Sequence, residues 1–372
     1  MSYKIFALNP GSTSTKVALF EDRHCVFKTT IEHSHEDLAQ FPSVPDQFSY
    51  RLEAIIKAVE DAGQTFENVD CFVGRCGSTK PCEGGIYRVT EKVLDDVAHH
   101  PIVHPAMLGG RLTDALANRY GGEKLFLNPP DTDEFQDIAR ITGFSDVLRT
   151  SNVHMLNQKE TVIVAAKEMG RRPEDCNFIV AHIGGGVSVT AHQHGRAIDS
   201  TNNVAGEGPL TPTRSGAMPL LYFMDLCYSG KYTRDEMYKR LTKTGGFTDL
   251  LGTNDIREVK QMIKAGDEYA KVVYDAFIYQ IGKAIGSMAS VLHGNVDAIL
   301  LGGGIVYDED LVKQLKEMCG YIAPIRCYPG EFEMEALAFG ALRALTGAEK
   351  IKEYTGEPTF KGFDTYQRVK MV

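Results

Sequence analysis

Apolar and polar positions follow two different periods along the chain, which predicts a mixed α/β protein. Residues 4–22 and 177–195 each begin with an apolar run, turn through Gly and Ser, and continue with apolar and polar positions alternating every second residue. That alternation is typical of β-hairpins. Other stretches place apolar residues at the period of about 3.6 that marks an amphipathic helix. These predicted helices are residues 46–62, 155–169, 270–292 and 334–345.

The two predicted hairpins are similar enough to indicate an internal repeat. When KIFALNPGSTSTKVALFED is aligned with NFIVAHIGGGVSVTAHQHG, Lys4 falls on Asn177, Asn9 on His182 and Gly11 on Gly184. Each tip would offer backbone N–H groups and small side chains. A duplicated hairpin predicts two related domains that face each other. The alternative is that two Gly-rich hairpins occur by coincidence.

A third glycine turn and the spacing of the segments suggest where the domains lie. Gly302-Gly303-Gly304 follows the apolar run 298–301, and glycine there lets a ligand approach the backbone. Pro129-Pro130 marks a loop ahead of an acidic stretch. We predict a boundary near residue 150. The expected parts are residues 1–149 completed by a helix at 332–346, a nucleotide-binding domain at 150–331, and a tail at 347–372.

Composition narrows the functional class. A chain of 372 residues, 43% hydrophobic and 24% charged, is expected to form two globular domains. The net charge of −9, without a basic cluster, disfavours a nucleic-acid partner. The eight cysteines form no Cys-x-x-Cys pair and are interpreted as reduced thiols. With no apolar leader and no long apolar run, we expect a cytoplasmic protein without a membrane partner.

The first hairpin tip, Asn-Pro-Gly-Ser-Thr-Ser-Thr-Lys at residues 9–16, is a candidate phosphate loop. It resembles a Walker A loop only superficially, because no Gly precedes Lys16 and Val17 stands where Ser or Thr is needed. A run of hydroxyls and N–H groups still suits phosphate oxygens. The alternative is an ordinary hairpin turn without a functional role.

With this tip, the second glycine hairpin and the third glycine turn in that order, the chain resembles the acetate kinase family over residues 3–346. That family belongs to a superfamily with sugar kinases, actin and the heat-shock chaperone. The resemblance implies two related actin-like (ribonuclease H-like) α/β domains with a central interdomain cleft. It further implies ATP/ADP and Mg²⁺ as cofactors, a small-molecule carboxylate as substrate, and a homodimer or an assembly of dimers.

For the first domain, the resemblance assigns roles to residues in matching motifs. Arg75 resembles the first substrate-side arginine, and His104 the histidine that supports the phosphoryl site. Glu333 resembles a magnesium-side carboxylate, with Glu331 and Glu335 as alternatives. Asn9, Ser12, Ser14 and Lys16 resemble the first phosphate and magnesium loop, so Asn9 and Glu333 are the predicted metal-side residues.

For the second domain, His154 resembles the histidine that contacts the transferred phosphoryl group, and Arg214 the second catalytic arginine. Leu-Asn-Gln-Lys at residues 156–159, after His154 and Met155, is similar to the branch of the family that acts on butyrate. His182 with Gly184, Gly185 and Gly186 resembles the second phosphate loop. Adenosine contacts are implied at Asp255, Arg257, Gly302, Gly303 and Gly304.

One position departs from the family pattern. The family has an aspartate after an apolar strand of the first domain, and Asn128 stands there in this chain. Asp131 or Asp133 is the alternative source of that charge. If neither supplies it, metal binding or turnover would be weakened, and an inactive relative becomes conceivable.

The expected chemistry is electrostatic. A fatty-acid carboxylate has a pKa of about 4–5 and needs no general base at neutral pH. It must instead approach an anionic γ-phosphate, a task for bidentate guanidinium groups. Acetate kinases carry a Val at the position of Gly77 and a bulky aromatic residue at that of Val153. The resemblance therefore implies that these two residues, with Val103, line a substrate pocket with room for a propyl or isopropyl group. The expected substrate is therefore butyrate or isobutyrate, taken to its acyl phosphate by direct in-line transfer.

Two other functions stay open from the sequence. A sugar kinase of the same superfamily would need a carboxylate base for a hydroxyl acceptor. A non-catalytic nucleotide-binding module would keep the hairpins but would not need Arg75, His154 and Arg214 together. The spacing of His100 and His104 offers no carboxylate or cysteine to complete a zinc site. The remaining histidines of note, His33, His35, His192 and His194, are expected to face solvent.

Overall fold

A computed structural model describes residues 2–101 and 103–366 of the chain, and these form two compact units. The first unit contains the residues up to Asp133 together with those from Glu333 onward, and the second contains Glu134–Phe332. The boundary predicted near residue 150 falls inside the second unit. The reason is that the segment before residue 150 is bonded to the second unit. Gln136 donates its N–H to the carbonyl of Ile198, at 3.0 Å, and Arg149 pairs with Asp199.

The first unit is built on a seven-stranded mixed sheet. In spatial order its strands are β12, β5, β6, β4, β1, β2 and β3, with β1–β3 an antiparallel meander and β4 parallel to β1. The strands are β1 Lys4–Pro10, β2 Ser14–Glu21, β3 His24–Glu32, β4 Cys71–Gly74, β5 Ile86–Arg88, β6 Glu123–Leu127 and β12 Ile351–Lys352. The helices are α1 His35–Ala39, α2 Phe48–Asp61, α3 Glu91–Ala98, α4 Leu108–Tyr120 and α12 Glu333–Leu345.

Helices cover both faces of this sheet, because alternate side chains of a strand point to opposite faces. Phe6 and Leu8 of β1 are buried in one apolar cluster with residues of α2 and α4. On the other face, Phe20 of β2 meets Phe339 of α12 edge to face, with ring centroids 6.0 Å apart. The sheet is therefore a buried central layer, and α12 belongs to the first unit although it follows the second in sequence.

The second unit has a five-stranded sheet in the order β11, β10, β7, β8, β9. Here β7–β9 form an antiparallel meander, and β10 is parallel to β7 and to β11. The strands are β7 Asn177–Ile183, β8 Val187–Gln193, β9 Arg196–Ser200, β10 Ala298–Gly303 and β11 Ile325–Pro329. The helices are α5 Met155–Glu168, α6 Leu220–Tyr228, α7 Arg234–Thr242, α8 Phe247–Leu251, α9 Ile256–Lys264, α10 Glu268–Val291 and α11 Glu309–Cys319.

The two sheets repeat one topology, which confirms the internal repeat read from the sequence. The order β3-β2-β1-β4 in the first unit corresponds to β9-β8-β7-β10 in the second. In each, a strand hairpin with a three-residue tip is followed by a third antiparallel strand and a parallel return. The tips are residues 11–13 and 184–186, as the alignment of the two hairpins predicted.

The predicted helices are all present, but two histidines are not where the sequence placed them. His33 is 4% exposed and His192 is fully buried, so the prediction that they face solvent was wrong. Each fills a polar gap in the interior: His33 bonds Thr15 at 2.8 Å, and His192 bonds Gln158 at 3.0 Å. His35 and His194 are exposed as predicted.

Two further expectations concern the chain as a whole. All eight cysteines are free thiols, as the sequence predicted. Burial raises the pKa of Cys76 and Cys82 to about 12, so these thiols are unreactive at neutral pH. Among the helices of residues 2–101 and 103–366, none combines the length and apolar character that crossing a bilayer requires.

Candidate active site

In the first unit, Glu333 at the start of α12 connects three of the predicted site residues. Its Oε1 accepts from a guanidinium nitrogen of Arg75 at 3.0 Å, and its Oε2 accepts from Asn9 Nδ2 at 2.6 Å. Lys16 Nζ lies 3.6 Å from the same Oε2. We call Asn9, Lys16, Arg75 and Glu333 the first cluster. By contrast, the side chain of Glu335 pairs with Lys28 at 3.1 Å.

The tip next to this cluster presents groups suited to an anionic or metal-bound ligand. Asn9 is 4% exposed, and its Oδ1 has no hydrogen-bond partner among the described residues. The N–H of Gly11 bonds the carbonyl of Ser14 at 2.7 Å, which closes the turn. Ser12 is exposed and Ser14 is partly exposed beside it. An orphaned carbonyl oxygen close to a carboxylate is a donor set that Mg²⁺ accepts, since it prefers oxygen ligands and needs few from the protein.

The backbone of Arg75 is fixed by close packing against α4. A Cβ added at Gly109 would overlap the carbonyl group of Arg75, so only glycine allows this approach. The next turn is held by Gly77, whose N–H donates to the carbonyl of Ala106 at 3.1 Å. His104 precedes that turn, is exposed, and accepts through Nδ1 from the N–H of Ala106 at 3.1 Å. The structure therefore brings the Arg75 loop and the His104 loop together.

The family aspartate has no direct replacement at Asn128. Asn128 is 7% exposed, has a φ of 41°, and its Oδ1 accepts from the N–H of Gly85 at 2.8 Å, which is a structural contact. Asp131 is half-buried and accepts from the N–H of Thr79 at 3.2 Å, and burial raises the pKa of its carboxyl. Asp131 thus contacts the loop that follows Arg75, and its role toward a metal stays a prediction.

In the second unit, the glycine tip is fitted to Arg214. A Cβ added at Gly186 would fall on the Arg214 guanidinium and on the amide of Asn203, so glycine is required for the approach. Arg214 donates to the Asn203 carbonyl at 3.0 Å and also to its Oδ1. The hydroxyl of Thr211 donates to the carbonyl of Gly185 at 2.9 Å, which ties the Arg214 loop to the tip.

Arg214 carries its charge without a carboxylate partner among the described residues, and its Nε makes no hydrogen bond there. Burial lowers the pKa of the Arg214 guanidinium, which nevertheless stays charged at neutral pH. A half-buried cation with only amide partners is costly unless an anion approaches it. This arrangement favours an anionic ligand at Arg214.

His154 stands beside the same group, directly before α5. Its Nδ1 lies 2.9 Å from Ser188 Oγ, its Nε2 lies 3.3 Å from Asn203 Nδ2, and its ring stacks on that of His182 at 4.1 Å. Because Asn203 Oδ1 accepts from Arg214, the amide nitrogen is the atom that faces His154. We call His154, His182, Asn203 and Arg214 the second cluster. The sequence predicted its charged and aromatic members and missed Asn203, which carries no motif.

A buried hydrogen-bond chain behind His154 was also missed. Gln158 Nε2 donates to Ser188 Oγ at 2.9 Å, and Gln158 Oε1 bonds His192 Nε2 at 3.0 Å. Burial lowers the pKa of His192 to about 3, so its imidazole is neutral and donates through Nε2. The chain His192–Gln158–Ser188–His154 therefore orients Gln158 with its amide nitrogen toward Ser188. Alternation along β8 places Ser188 and His192 on one face, which is the signal that sequence reading overlooked.

The predicted adenosine contacts are partly brought together at a cavity of about 580 Å³ in the second unit. Arg257 and Gly304 line it. Asp255 instead caps α9 and pairs with Arg257, whose guanidinium and N–H hold the pKa of the carboxyl at about 2. The remaining lining residues are Ile256, Lys260, Gln261, Lys264, Ile305, Tyr307 and Asp308, which sequence reading did not assign.

Gly302 and Gly303 are not open to this cavity in the way Gly304 is. Gly302 is registered with His182 and Tyr328 inside the sheet. Gly303 and Gly330 exchange two backbone hydrogen bonds of 3.1 Å, so the N–H of Gly303 is already used. Their role as adenosine contacts stays a prediction, in which glycine lets the ligand pack closely against the backbone and does not hydrogen-bond it.

The three predicted substrate-pocket residues have different surroundings. A Cβ added at Gly77 would meet that of Ala106 at 3.0 Å, so the space freed by glycine lies against the His104 loop. Val103 in that loop is 53% exposed. Val153 is 3% exposed and packs with Met155 and Ala197 in a small apolar cluster of the second unit.

Comparisons with known proteins agree on one family. A profile of the Acetokinase family matches residues 151–320. The chain is 44% identical over 355 residues to butyrate kinase 2 of Clostridium acetobutylicum, covering 95% of this chain and all of that protein. It is 42% identical over 352 residues to a probable butyrate kinase of Bacteroides thetaiotaomicron, covering 94% and 99% of the two chains.

Solved structures give the fold independently. The acetate kinase of Porphyromonas gingivalis superposes with a TM-score of 0.75 at 18% identity, covering 93% of this chain and 100% of that chain. A propionate kinase from Francisella tularensis superposes with a TM-score of 0.69 at 18% identity, covering 91% and 98%. The predicted two-domain α/β fold is thereby confirmed. With identities above 40% along nearly the whole of both relatives, the chain belongs to the acetokinase family.

Proposed function

We propose that this protein is an ATP-dependent kinase that reversibly phosphorylates the carboxylate of a short-chain fatty acid, butyrate or isobutyrate. The observation that carries the proposal is the full-length similarity to proteins named butyrate kinase. Arg75 and Arg214 support it physically, because hydrogen bonds to neighbouring residues hold each guanidinium in place. A carboxylate acceptor needs such cations more than it needs a base.

In this proposal the two clusters divide the electrostatic work. Arg75 binds the acceptor carboxylate, and its guanidinium is oriented by Glu333 at 3.0 Å. Arg214 stabilises the charge that spreads over the oxygens of the transferred phosphoryl group. The Asn203 amide and the Gly186 tip hold Arg214 in place. Loss of one such charged contact typically costs on the order of 100-fold in rate.

His154 acts on the same phosphoryl group as a hydrogen-bond donor. In its neutral form it accepts through Nε2 from Asn203 and donates through Nδ1 to Ser188. A phosphoryl oxygen that replaces the Asn203 contact requires a proton on Nε2, which either the imidazolium or the neutral tautomer whose Nδ1 accepts from the Ser188 hydroxyl supplies. The acceptor carboxylate is already ionised, so no proton leaves it during transfer.

The residues of the first cluster fit a magnesium ion. Asn9 Oδ1 is buried and unpartnered, and Glu333 adds a carboxylate next to it. Bound there, Mg²⁺ would neutralise part of the negative charge of the triphosphate. The adenosine moiety would occupy the cavity lined by Arg257 and Gly304. We place the enzyme in the cytoplasm, which suits its eight free thiols.

The decisive experiment is an acyl phosphate assay. The purified protein is incubated with ATP, Mg²⁺ and acetate, propionate, butyrate or isobutyrate, and hydroxylamine traps the acyl phosphate as a hydroxamate. We expect kcat/KM to rise with chain length up to a propyl or isopropyl group. Each buried methylene contributes about 0.8 kcal/mol, so neighbouring acids should differ only a few fold. A clear preference for acetate would reject the substrate, and turnover with sugars alone would reject the carboxylate kinase.

We also propose that the protein works as a homodimer. Helix α6 buries none of its nine residues, although it reads LLYFMDLCY. Leu220, Leu221 and Tyr222 are 76%, 72% and 75% exposed. A helix this apolar needs a covering surface, and a second copy of the chain is the partner that is always present.

Light scattering after gel filtration tests the dimer. The wild type should have twice the 41.0 kDa mass of the chain, and a Leu220→Ser, Leu221→Ser variant should shift toward the monomer. A matched change at exposed Leu250 should leave the mass unchanged. A monomeric wild type at micromolar concentration would contradict the proposal.

A further inference from the structure

Arg51 in α2 is a fully buried side chain, and its guanidinium lies behind the first hairpin tip. It donates to the carbonyl of Gly11 at 2.9 Å, of Ser12 at 3.2 Å and of Ser14 at 3.3 Å. It also donates to Thr15 Oγ1 at 3.0 Å. One side chain therefore binds three of the four carbonyls between Gly11 and Ser14.

This cation has no counter-ion among the described residues. Its other acceptor is the neutral amide of Gln47, whose Oε1 receives Nε at 3.1 Å and a terminal nitrogen at 3.0 Å. Gln47 is 7% exposed. A buried charge that is hydrogen-bonded but not neutralised is expensive, and proteins normally pair it. Packing of the first unit alone therefore does not explain why a charged side chain is buried at this position.

The titratable groups next to Arg51 are neutral, and the carboxylate of Asp37 beyond them acts on His33 and Tyr50 but forms no ion pair with Arg51. His33 bonds Thr15 Oγ1, and burial together with the charge of Arg51 lowers the pKa of His33 to about 4. It is therefore neutral at pH 7. Tyr50, which lies 3.2 Å from His33 Nδ1, has a raised pKa and is neutral as well.

The geometry of the tip shows what the cation faces. The carbonyls of Gly11, Ser12 and Ser14 are turned toward Arg51, and that of Thr13 accepts from the N–H of His33. The N–H groups of Ser12 and Thr13 have no acceptor among the described residues, and both residues are exposed. Backbone N–H groups with a fixed cation behind them form a binding surface for an anion. The first cluster, with Lys16 and Arg75, adjoins this tip.

We propose that Arg51 is a positioning residue for the nucleotide phosphates: it fixes the tip carbonyls inward and adds an uncompensated positive charge behind the phosphate loop. The proposal rests on the function proposed above and names a residue that no sequence motif marks. It does not require Arg51 to touch the nucleotide.

Gln47→Glu is a nearly isosteric test of the charge. The carboxylate keeps both hydrogen bonds to Arg51 and stays ionised beside it, so it neutralises the guanidinium without removing a contact. We expect the dissociation constant of ATP, measured by calorimetry without the fatty acid, to rise on the order of tenfold. The melting temperature should stay the same or rise.

Two companion variants separate charge from structure. Gln47→Leu removes the acceptor without adding charge, so it should lower the melting temperature and change the ATP dissociation constant less than Gln47→Glu does. Gln40→Glu adds the same charge at an exposed site of the first unit and should bind ATP as the wild type does. Equal ATP affinity in Gln47→Glu and wild type would overturn the proposal, as would an equal loss in Gln47→Leu. Failure of the wild type to make acyl phosphate would reject the proposed function alone, because ATP binding is measured separately.

Discussion

At the scale of single residues, the charge of Glu333 matters most to the first cluster. Sequence similarity left Glu331, Glu333 and Glu335 as alternatives because they are too close together for an alignment to separate. The structure shows Glu333 contacting Asn9, Lys16 and Arg75, while Glu335 pairs with Lys28.

We expect Glu333→Gln to lower kcat for acyl phosphate formation by on the order of 100-fold. The amide keeps the shape but removes the negative charge that orients Arg75 and attracts Mg²⁺, so the Mg²⁺ concentration needed for half-maximal rate should also rise. Glu335→Gln, two residues along the same helix, is the control and should be nearly as active as the wild type. Equal losses in both variants would contradict the assignment.

A second residue-scale prediction concerns the space at Gly186. Gly186→Ala would push its Cβ into the Arg214 guanidinium and displace it. We expect kcat to fall by about 100-fold while the melting temperature changes little, because the collision is with a side chain and not with the core. Gly143→Ala, where an added Cβ meets nothing within 4 Å, is the matched control. A Gly186→Ala enzyme within about threefold of wild-type kcat would refute the role given to this glycine.

At the scale of elements, the first turn of α5 joins several parts of the second unit. Asn157 Oδ1 accepts from the N–H of Phe332 at 2.9 Å, and Lys159 Nζ bonds Glu134 at 2.6 Å. Gln158 between them supports Ser188 behind His154. The Leu-Asn-Gln-Lys sequence at residues 156–159, which resembles the butyrate branch of the family, therefore places α5, and with it His154, which lies two residues before it.

From this arrangement we expect Gln158→Leu to lower both the stability of the fold and kcat. The substitution leaves the buried Nε2–H of His192 without an acceptor and removes a donor to Ser188. This should lower the free energy of unfolding by about 1–3 kcal/mol. A His192→Phe, Gln158→Leu double variant removes the stranded donor and should recover part of that loss. The reaction rate should fall in both variants, since neither orients Ser188. Urea unfolding and kcat measurements distinguish these effects, and an unchanged kcat would show that the hydrogen-bond chain is structural only.

The cavity beside α9 shows a limit of motif reading at this scale. The family resemblance indicated Asp255, Arg257 and Gly304, but Lys260, Tyr307 and Asp308 also contribute to the lining or its charge. Lys260 pairs with Asp308 at 3.2 Å and lies over the ring of Tyr274. These residues meet only because α9 packs next to the turn after β10, which a linear pattern does not encode.

At the scale of the whole molecule, buried histidines link stability to pH. The pKa values of His33 and His192 fall from 6.5 to about 4 and about 3 on burial. Below pH 6.5 the unfolded chain binds protons at these sites that the folded chain does not, so stability falls as the pH is lowered. Each contributes up to about 1.4 kcal/mol per pH unit between 6.5 and its folded pKa.

Urea unfolding of the wild type and of His192→Phe at pH 7, 6 and 5 tests this difference. The variant should be less stable at pH 7, because Gln158 loses a partner, but its stability should fall less steeply with acid. The slopes should differ by about 1.4 kcal/mol per pH unit below pH 6. Parallel curves would show that His192 does not titrate on unfolding.

The sequence by itself determined the repeated hairpins, the helices with a clear apolar period and the residues that carry motifs. These features are local, because strand alternation, glycine turns and helical period depend on neighbouring residues. It also gave enough family resemblance to predict the α/β fold and the two arginines.

Only the tertiary structure decided which polar side chains lie inside and whom they contact. Arg51, Gln158, His192 and Asn203 gained their positions from partners distant in sequence, and His33 and His192 were misplaced for that reason. Burial depends on what packs against a residue, so it cannot be read from its own segment. The same holds for Asn128, whose place in a left-handed turn beside Gly85 was fixed by packing and not by the strand before it.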